Sequence, residues 1–421
     1  MDLQISTLAN GLRVVTSSRP QTESVTLGIW VNTGSACEKE EINGISHFLE
    51  HMVFKGTEKR SSLQISEEFE DVGGQSNAYT SREFTAFYAK MLKDDVALAI
   101  DILSDIVLHS NFPDSELEKE REVVVQEIKQ TIDTPDDIIF DYLQEQAFPG
   151  QAVGRTILGP AEKVRSYTAQ TLNNYRKNNY AAENTVVCAV GNVNHEAFVK
   201  MVEERMGKMQ KKINFVSEKQ IYKGGFFAEN RDIEQAHMVL GFEGVAYSTD
   251  NYYPSIVFST ILGGGMSSRL FQEVREKRGL VYSVYSFANS HTKSGLFGIY
   301  AGTTKEELKE LMPVVCEEIR KIRTDLVSEQ ELKRAKTQLK ASMLMALESS
   351  SATVEVLARQ MLIFNRVISV DEMVERIEKI SREDIRTIAN QIFETNPTYA
   401  LVGDIDGYPS YDEIKKLIRV S

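Results

Sequence analysis

The sequence predicts a mixed α/β (α+β) protein made of two related domains. Three observations predict it. The chain has 421 residues, more than one ordinary hydrophobic core organises, so it divides into two domains. Short β-branched segments with period-two alternation are interleaved with longer segments of helical spacing. The order of these elements in the first half recurs after about residue 225, which marks a diverged repeat, although no residue-level periodicity accompanies it.

Taken in order, Leu12 to Thr16 and Ser24 to Asn32 are β-branched and alternating, and predict strands. Asn43 to Phe54 has helical spacing, with Asn43 or Ser46 placed to cap it. Past Gly73-Gly74, Gln75 to Lys90 predicts a hairpin turning near Ser81-Arg82-Glu83. Helices are expected over Asp94 to His109 and Asp114 to Thr131, then a strand over Asn184 to Val190. A Lys-rich stretch from Gly207 that closes on Gly224-Gly225 best marks a boundary. It divides the chain into a first domain at 1–212, a linker at 213–224 and a second domain at 225–421. The second half opens on strands at Phe226 to Glu229 and His237 to Phe242, and after helices returns to strands at Tyr282 to Ser290 and Gly295 to Gly302. Long helices fill Lys305 to about Ile363.

Composition excludes several classes. Hydrophobic residues at 42% and charged residues at 26% describe a soluble globular chain. A formal net charge of −13 argues against nucleic-acid binding, which needs a basic face, and permits attraction of basic peptides. Cys37, Cys188 and Cys316 show no C-x-x-C spacing, so neither a disulfide framework nor a thiolate metal site is expected. The amino terminus shows no basic region followed by an apolar run, and no apolar run is long enough to cross a bilayer. The expectation is a cytosolic (cytoplasmic) protein.

Chemistry concentrates at His47-Phe-Leu-Glu50-His51. On a helix, residues four apart project from one face a turn apart, which suits two imidazole ligands on one Zn2+ with Glu50 beside them. Six histidines in the chain would produce roughly 0.09 such pairs by chance, and requiring the glutamate lowers that about tenfold. A third protein ligand is expected from Glu116-Leu-Glu-Lys-Glu120-Arg-Glu-Val-Val-Val-Gln-Glu127. Glu120 and Glu127 are seven apart, two turns on one face, and spacing alone does not choose the ligand from the carboxylate that supports a histidine. A solvated charged face is the plainer reading of the same run. Gly263-Gly-Gly-Met-Ser-Ser-Arg269 lacks the Gly-Lys-Ser/Thr of a phosphate loop and reads as a flexible turn.

Four stretches together resemble one family: the segment from His47 to Thr57, Ser76-Asn-Ala-Tyr-Thr-Ser-Arg-Glu83, Glu120 to Glu127, and Gly154-Arg-Thr-Ile-Leu-Gly-Pro160. It is the pitrilysin family of inverted zincins, in the branch resembling the β subunit of mitochondrial processing peptidase and its small bacterial homologues. The resemblance runs the length of the chain. It implies a zinc metalloendopeptidase holding one Zn2+ per chain on His47, His51 and Glu127, with Glu50 as general base and Glu120 supporting a ligand. It implies that Asn77, Ala78 and Tyr79 belong to an edge strand that binds substrate backbone, and that Phe54 lines the pocket after the scissile bond. Asp137 and Asp141 match an acidic pair for a substrate arginine, although both are Asp where the family often has one Glu. Arg275 and Tyr282 match the contacts to the substrate carbonyl, with Arg278 as an alternative. The implied architecture is two domains, each a mainly antiparallel sheet packed with helices, that enclose a peptide chamber on dimerisation. Larger relatives hold four such domains in one chain, so a homodimer with composite active sites is expected here. The expected partners are a peptide substrate and a second copy, with no nucleic acid and no membrane. The rival expectation is a non-catalytic, peptide-holding subunit of the same fold.

Overall fold

β-Branched and aromatic runs become strands where both or one of their faces find apolar cover, and this chain provides two such settings. The computed structural model describes residues 2–212 and 219–419, so part of the expected linker, residues 213–218, lies outside the described residues. The strands are β1 (Asp2–Thr7), β2 (Arg13–Ser18), β3 (Ser24–Val31), β4 (Gln75–Thr80), β5 (Thr85–Leu92), β6 (Thr185–Gly191), β7 (Gly225–Asn230), β8 (Ala236–Glu243), β9 (Ser283–Ser290), β10 (Gly295–Thr303) and β11 (Thr398–Gly403). The helices of the first half are α1 (Ile45–Val53), α2 (Ser62–Glu70), α3 (Val96–His109), α4 (Asp114–Ile132), α5 (Pro135–Ala147), α6 (Ala161–Ser166), α7 (Ala169–Asn179) and α8 (His195–Met206). Those of the second are α9 (Tyr252–Gly263), α10 (Lys305–Thr324), α11 (Glu329–Ala346), α12 (Ser350–Phe364), α13 (Val370–Glu378), α14 (Arg382–Phe393) and α15 (Tyr411–Ile418). None of the described helices is long and apolar enough to cross a membrane.

The chain folds into two compact units that cut across the halves expected from composition. The first contains residues 1–129, 155–218 and 345–367; the second contains 130–154, 219–344 and 368–421. Helix α5, from the first half of the chain, therefore lies against β8 and β11 of the second unit. Helix α12, from the second half, lies against β3 and β6 of the first. The composition shift finds where the chain changes sheets, but the exchanged helices follow apolar cover: Val354, Leu357, Ala358 and Met361 of α12 are buried against Val15, Trp30, Val186 and Cys188.

The first sheet runs β1-β2-β6-β3-β5-β4, with β2 and β6 parallel and every other neighbour antiparallel. The second runs β7-β11-β8-β10-β9, with only β7 and β11 parallel. Without β1 the two orders are the same, so the mainly antiparallel, repeated α/β architecture is present in both units. In the first, β6 is buried along its whole length because α12 covers one face and the main core the other. That core packs the sheet against α1, α3 and α8. Strand β4 is left at the edge, with Gln75, Ser76 and Asn77 exposed.

Candidate metal centre

Helix α1 forms because Ile45, Phe48, Leu49, Met52 and Val53 share one face and are fully buried in the first unit's core. Each such side chain contributes about 1.5–3 kcal/mol by leaving water. That anchoring turns His47, Glu50 and His51 to the opposite face, where all three are only half-buried. The expected caps are corrected: the N-cap is Gly44, at φ 99°, and neither Asn43 nor Ser46 caps α1 with its side chain.

Helix α4 is fixed by buried Leu117, Val124 and Val125, with Glu120 buried on the same side. Two turns further on, Glu127 reaches the histidines. Its Oε2 lies 3.7 Å from His47 Nε2 and 3.5 Å from His51 Nε2, and one ligand atom from each of the three residues lies within 4.8 Å of the others. Tetrahedral zinc with bonds of about 2.0–2.1 Å separates its ligand atoms by roughly 3.3 Å, so this donor set fits the ion. Glu120 sits behind it: Oε2 lies 3.1 Å from His51 Nδ1, and Oε1 pairs with Lys55 Nζ at 2.7 Å. A carboxylate on Nδ1 holds the ring in the tautomer that presents Nε2 as a lone pair. Glu127 thus lies against the Nε2 atoms of both histidines, and Glu120 against His51 Nδ1.

Burial, with His51 nearby, pushes His47 down to about 3, which keeps its imidazole neutral. Burial acts against a charged His51, but Glu120, Glu127 and Glu50 outweigh it and raise its pKa. Burial works to raise Glu120, and the bonds from His51 and Lys55 overcome it, so it is held below the usual carboxylate range. Glu50 is raised, mainly by burial, although Thr80 Oγ1 donates to its Oε2 at 2.6 Å.

Strand β4 brings that threonine to the site. Even-numbered residues face α1, with Ala78 packed on the main core and Thr80 bonded to Glu50. On the other face, Tyr79 donates through its hydroxyl to Glu355 Oε1 at 2.5 Å, and Trp30 Nε1 donates to Oε2 at 2.9 Å. Asn77 is exposed on the edge, and Phe54 packs part-buried on the main core at the end of α1. Thr80, Lys55 and Glu355 escaped the sequence reading. Lys55 lies four residues beyond His51, a visible signal, whereas Glu355 comes from a distant segment with none.

The remaining expected residues belong to the second unit. Asp137 and Asp141 lie four apart on α5, and Asp137 is raised by burial and by the charges of Asp141 and Asp136. Arg275 lies in a π-helical turn, Phe271–Glu276, with its guanidinium 4.9 Å from the centre of the Phe271 ring. Tyr282 is 62% exposed. Arg278 Nη1 is bonded to the Glu273 carboxylate at 2.9 Å. The glycine-rich turn is more constrained than expected at its start, because a Cβ on Gly263 would lie 2.4 Å from the Ser286 nitrogen.

A family model described as insulinase (peptidase family M16) matches residues 13–161, and one described as the peptidase M16 inactive domain matches residues 166–339. A protein of Bacillus subtilis named uncharacterized zinc protease YmxG is 38% identical over 405 residues, covering 96% of this chain and 99% of its own. The chain belongs to peptidase family M16. Another M16 relative, the mitochondrial-processing peptidase subunit beta of Neurospora crassa, is 36% identical over 430 residues and covers 98% of this chain and 90% of its own. The crystal structure of a peptidase M16 inactive domain from Pseudomonas fluorescens has the same fold, with a TM-score of 0.90 at 19% identity over 97% of this chain and 99% of that one. The family and branch are those that the motifs resemble, and zinc is the metal that the bacterial relative's name carries.

Proposed function

We propose that this M16 chain is a zinc-dependent endopeptidase that hydrolyses unfolded peptides or extended presequence-like segments. The observation that supports it most is the convergence of His47 Nε2, His51 Nε2 and Glu127 Oε2 beside Glu50. These three atoms would hold one Zn2+, which when bound supplies an acidified water and polarises the peptide carbonyl. Glu120 orients His51, and Lys55 holds Glu120 in place. Glu50 takes the proton of the attacking water and passes it to the leaving amine, while Thr80 fixes the orientation of its carboxylate. Strand β4, at the sheet edge, offers backbone groups to an extended segment that adds as a further strand, so backbone rather than side chains is recognised. Arg275 and Tyr282 donate to the charge that develops on the carbonyl oxygen. Two copies form a homodimer in which each copy's pair serves the other's metal centre.

One measurement series tests the centre. Glu50→Gln should lower turnover of a quenched peptide about 10²–10⁴-fold with near-stoichiometric zinc retained, whereas Glu127→Gln should lose the zinc. Wild-type turnover in Glu50→Gln would overturn the mechanism. A second reading, a peptide-holding subunit without catalysis, draws on the inactive-domain match over residues 166–339. It requires that zinc-loaded wild type bind peptides and leave them intact.

Asp137 and Asp141 are assigned to a substrate arginine, since two neighbouring carboxylates accept a guanidinium bidentately. Replacing both by Asn should lower kcat/KM for an Arg peptide far more than for its Gln counterpart. Equal losses would make the pair structural.

A further inference from the structure

Helix α1 starts without a local cap, since its N-cap glycine has no side-chain acceptor for the first N–H groups. A residue six positions upstream meets that need. Glu38 is 3% exposed; its Oε2 accepts from Gly44 N at 2.7 Å and Asn43 Nδ2 at 3.0 Å, and its Oε1 accepts from Ser46 N at 2.8 Å. The Gly154-Arg-Thr-Ile-Leu-Gly-Pro160 motif itself braces this arrangement. The Arg155 guanidinium donates to the Glu38 carbonyl, and Asn43 Nδ2 also donates to the Thr156 carbonyl at 3.0 Å. Gly159, at φ 73°, approaches so closely that a Cβ there would lie 2.2 Å from the Asn43 carbonyl oxygen. Tyr167 donates its hydroxyl to that same oxygen at 2.7 Å, and Tyr175 shares a hydrogen bond with Ser46 Oγ at 2.6 Å.

We propose that Glu38 is a positioning residue for His47 and Glu50, fixing the start of α1 and so the place where the ligand and the base project. The proposal rests on the peptidase reading above. Ser46, whose N–H Glu38 holds, directly precedes His47, and Glu50 follows one turn later. Thr80 Oγ1 contacts both ends of that turn, donating to Glu50 Oε2 at 2.6 Å and lying 3.5 Å from the Ser46 carbonyl oxygen. A neutral acceptor would suffice to end a helix, yet a carboxylate stands here, aligned with the positive end of the helix dipole. Burial drives its pKa up to about 7 against the pull of Asn43, Gly44 and Ser46, so its ionised form is held at a cost to stability. Misplacing a reacting group by 1 Å lowers turnover about 10²-fold, which sets the size of effect to seek.

The test is Glu38→Gln, which keeps the volume and places an amide against N–H donors. Turnover per bound zinc should fall about 10- to 100-fold, with KM within about threefold and zinc content unchanged. Asn43→Ala, which removes one of the three donors and leaves both backbone ones, should give a smaller loss of the same kind, and it decides the matter if Glu38→Gln does not fold. A folded, zinc-loaded variant with turnover per zinc within twofold of wild type overturns the proposal, whatever its Tm. If Glu50→Gln is inactive while Glu38→Gln is not, positioning alone fails; if Glu50→Gln keeps wild-type turnover, the peptidase reading fails as well.

Discussion

Glu38 also carries a stability signature of its own. Burial raises its pKa from 4.5 to about 7, with Tyr167, Tyr175 and Cys37 grouped around it. Between those values the folded state binds the proton that the unfolded state releases. This contribution to stability is therefore complete below about pH 4.5 and lost as pH rises through 7, an effect of order 3 kcal/mol. Urea unfolding at pH 5 and pH 8 should show wild type losing about that much relative to Glu38→Gln, even though the variant has weaker bonds to α1 at both values. The same difference at both pH values would mean that Glu38 does not titrate there. At this scale the sequence displays ligand types and spacing: His47, Glu50 and His51 are legible because a helix converts a four-residue interval into one face. Glu120 and Glu127 are equally spaced on α4, and only the direction in which α4 meets α1 tells them apart. Glu38, Thr80 and Glu355 act through contacts between segments distant in sequence or across a loop, which no local pattern encodes.

Strands rich in β-branched residues were legible even where both faces are covered, as in β6. The β4–β5 hairpin turns where Ser81 N bonds the Phe84 carbonyl, as its sequence predicts. Strand β11 sits inside the second sheet, buried on both faces, and a short Thr-Tyr-Ala-Leu-Val-Gly run does not separate a buried strand from a buried helical turn. The repeat that showed no residue-level period becomes visible at the ends of two equivalent strands. Gly191 closes β6 at φ 138° and Gly403 closes β11 at φ 124°, and a Cβ on them would lie 2.2 Å from the Ser24 carbonyl oxygen and 2.1 Å from that of Gln235. Both positions therefore reject a side chain by backbone conformation and by contact. Gly191→Ala and Gly403→Ala should each lower unfolding stability by at least about 2 kcal/mol in denaturant titrations. A loss below about 0.5 kcal/mol at either would show that the strand end relaxes without consequence. Helices α5 and α12 explain why composition misplaces the units: each is amphipathic in the ordinary way, and nothing in its own sequence says which sheet it will cover.

Across the whole molecule, one topology is used twice, and the proposed chemistry draws on residues of both copies. The first unit carries His47, Glu50, His51 and Glu127; the second carries Arg275 and Tyr282. In the proposed homodimer, closed twofold symmetry would pair each metal centre with the partner's arginine–tyrosine pair. If the arginine–tyrosine pair works on the partner's centre, two variants that are each inactive should complement. One is Glu50→Gln; the other combines Arg275→Ala with Tyr282→Phe. After subunit exchange at equal concentrations, half the dimers are mixed. In each mixed dimer the chain with intact Glu50 faces a partner with an intact pair, while the other centre lacks both. One good site in two, in half the dimers, gives about a quarter of wild-type turnover. If the pair instead serves its own chain, every centre in a mixed dimer keeps one defect and mixing restores nothing. Exchange must be shown independently, by the appearance of dimers carrying two distinguishable tags. With exchange demonstrated, turnover that stays at the level of the separate variants rules out the composite site and leaves the metal centre assignment standing, because Glu50, His47, His51 and Glu127 all lie within one unit of one chain.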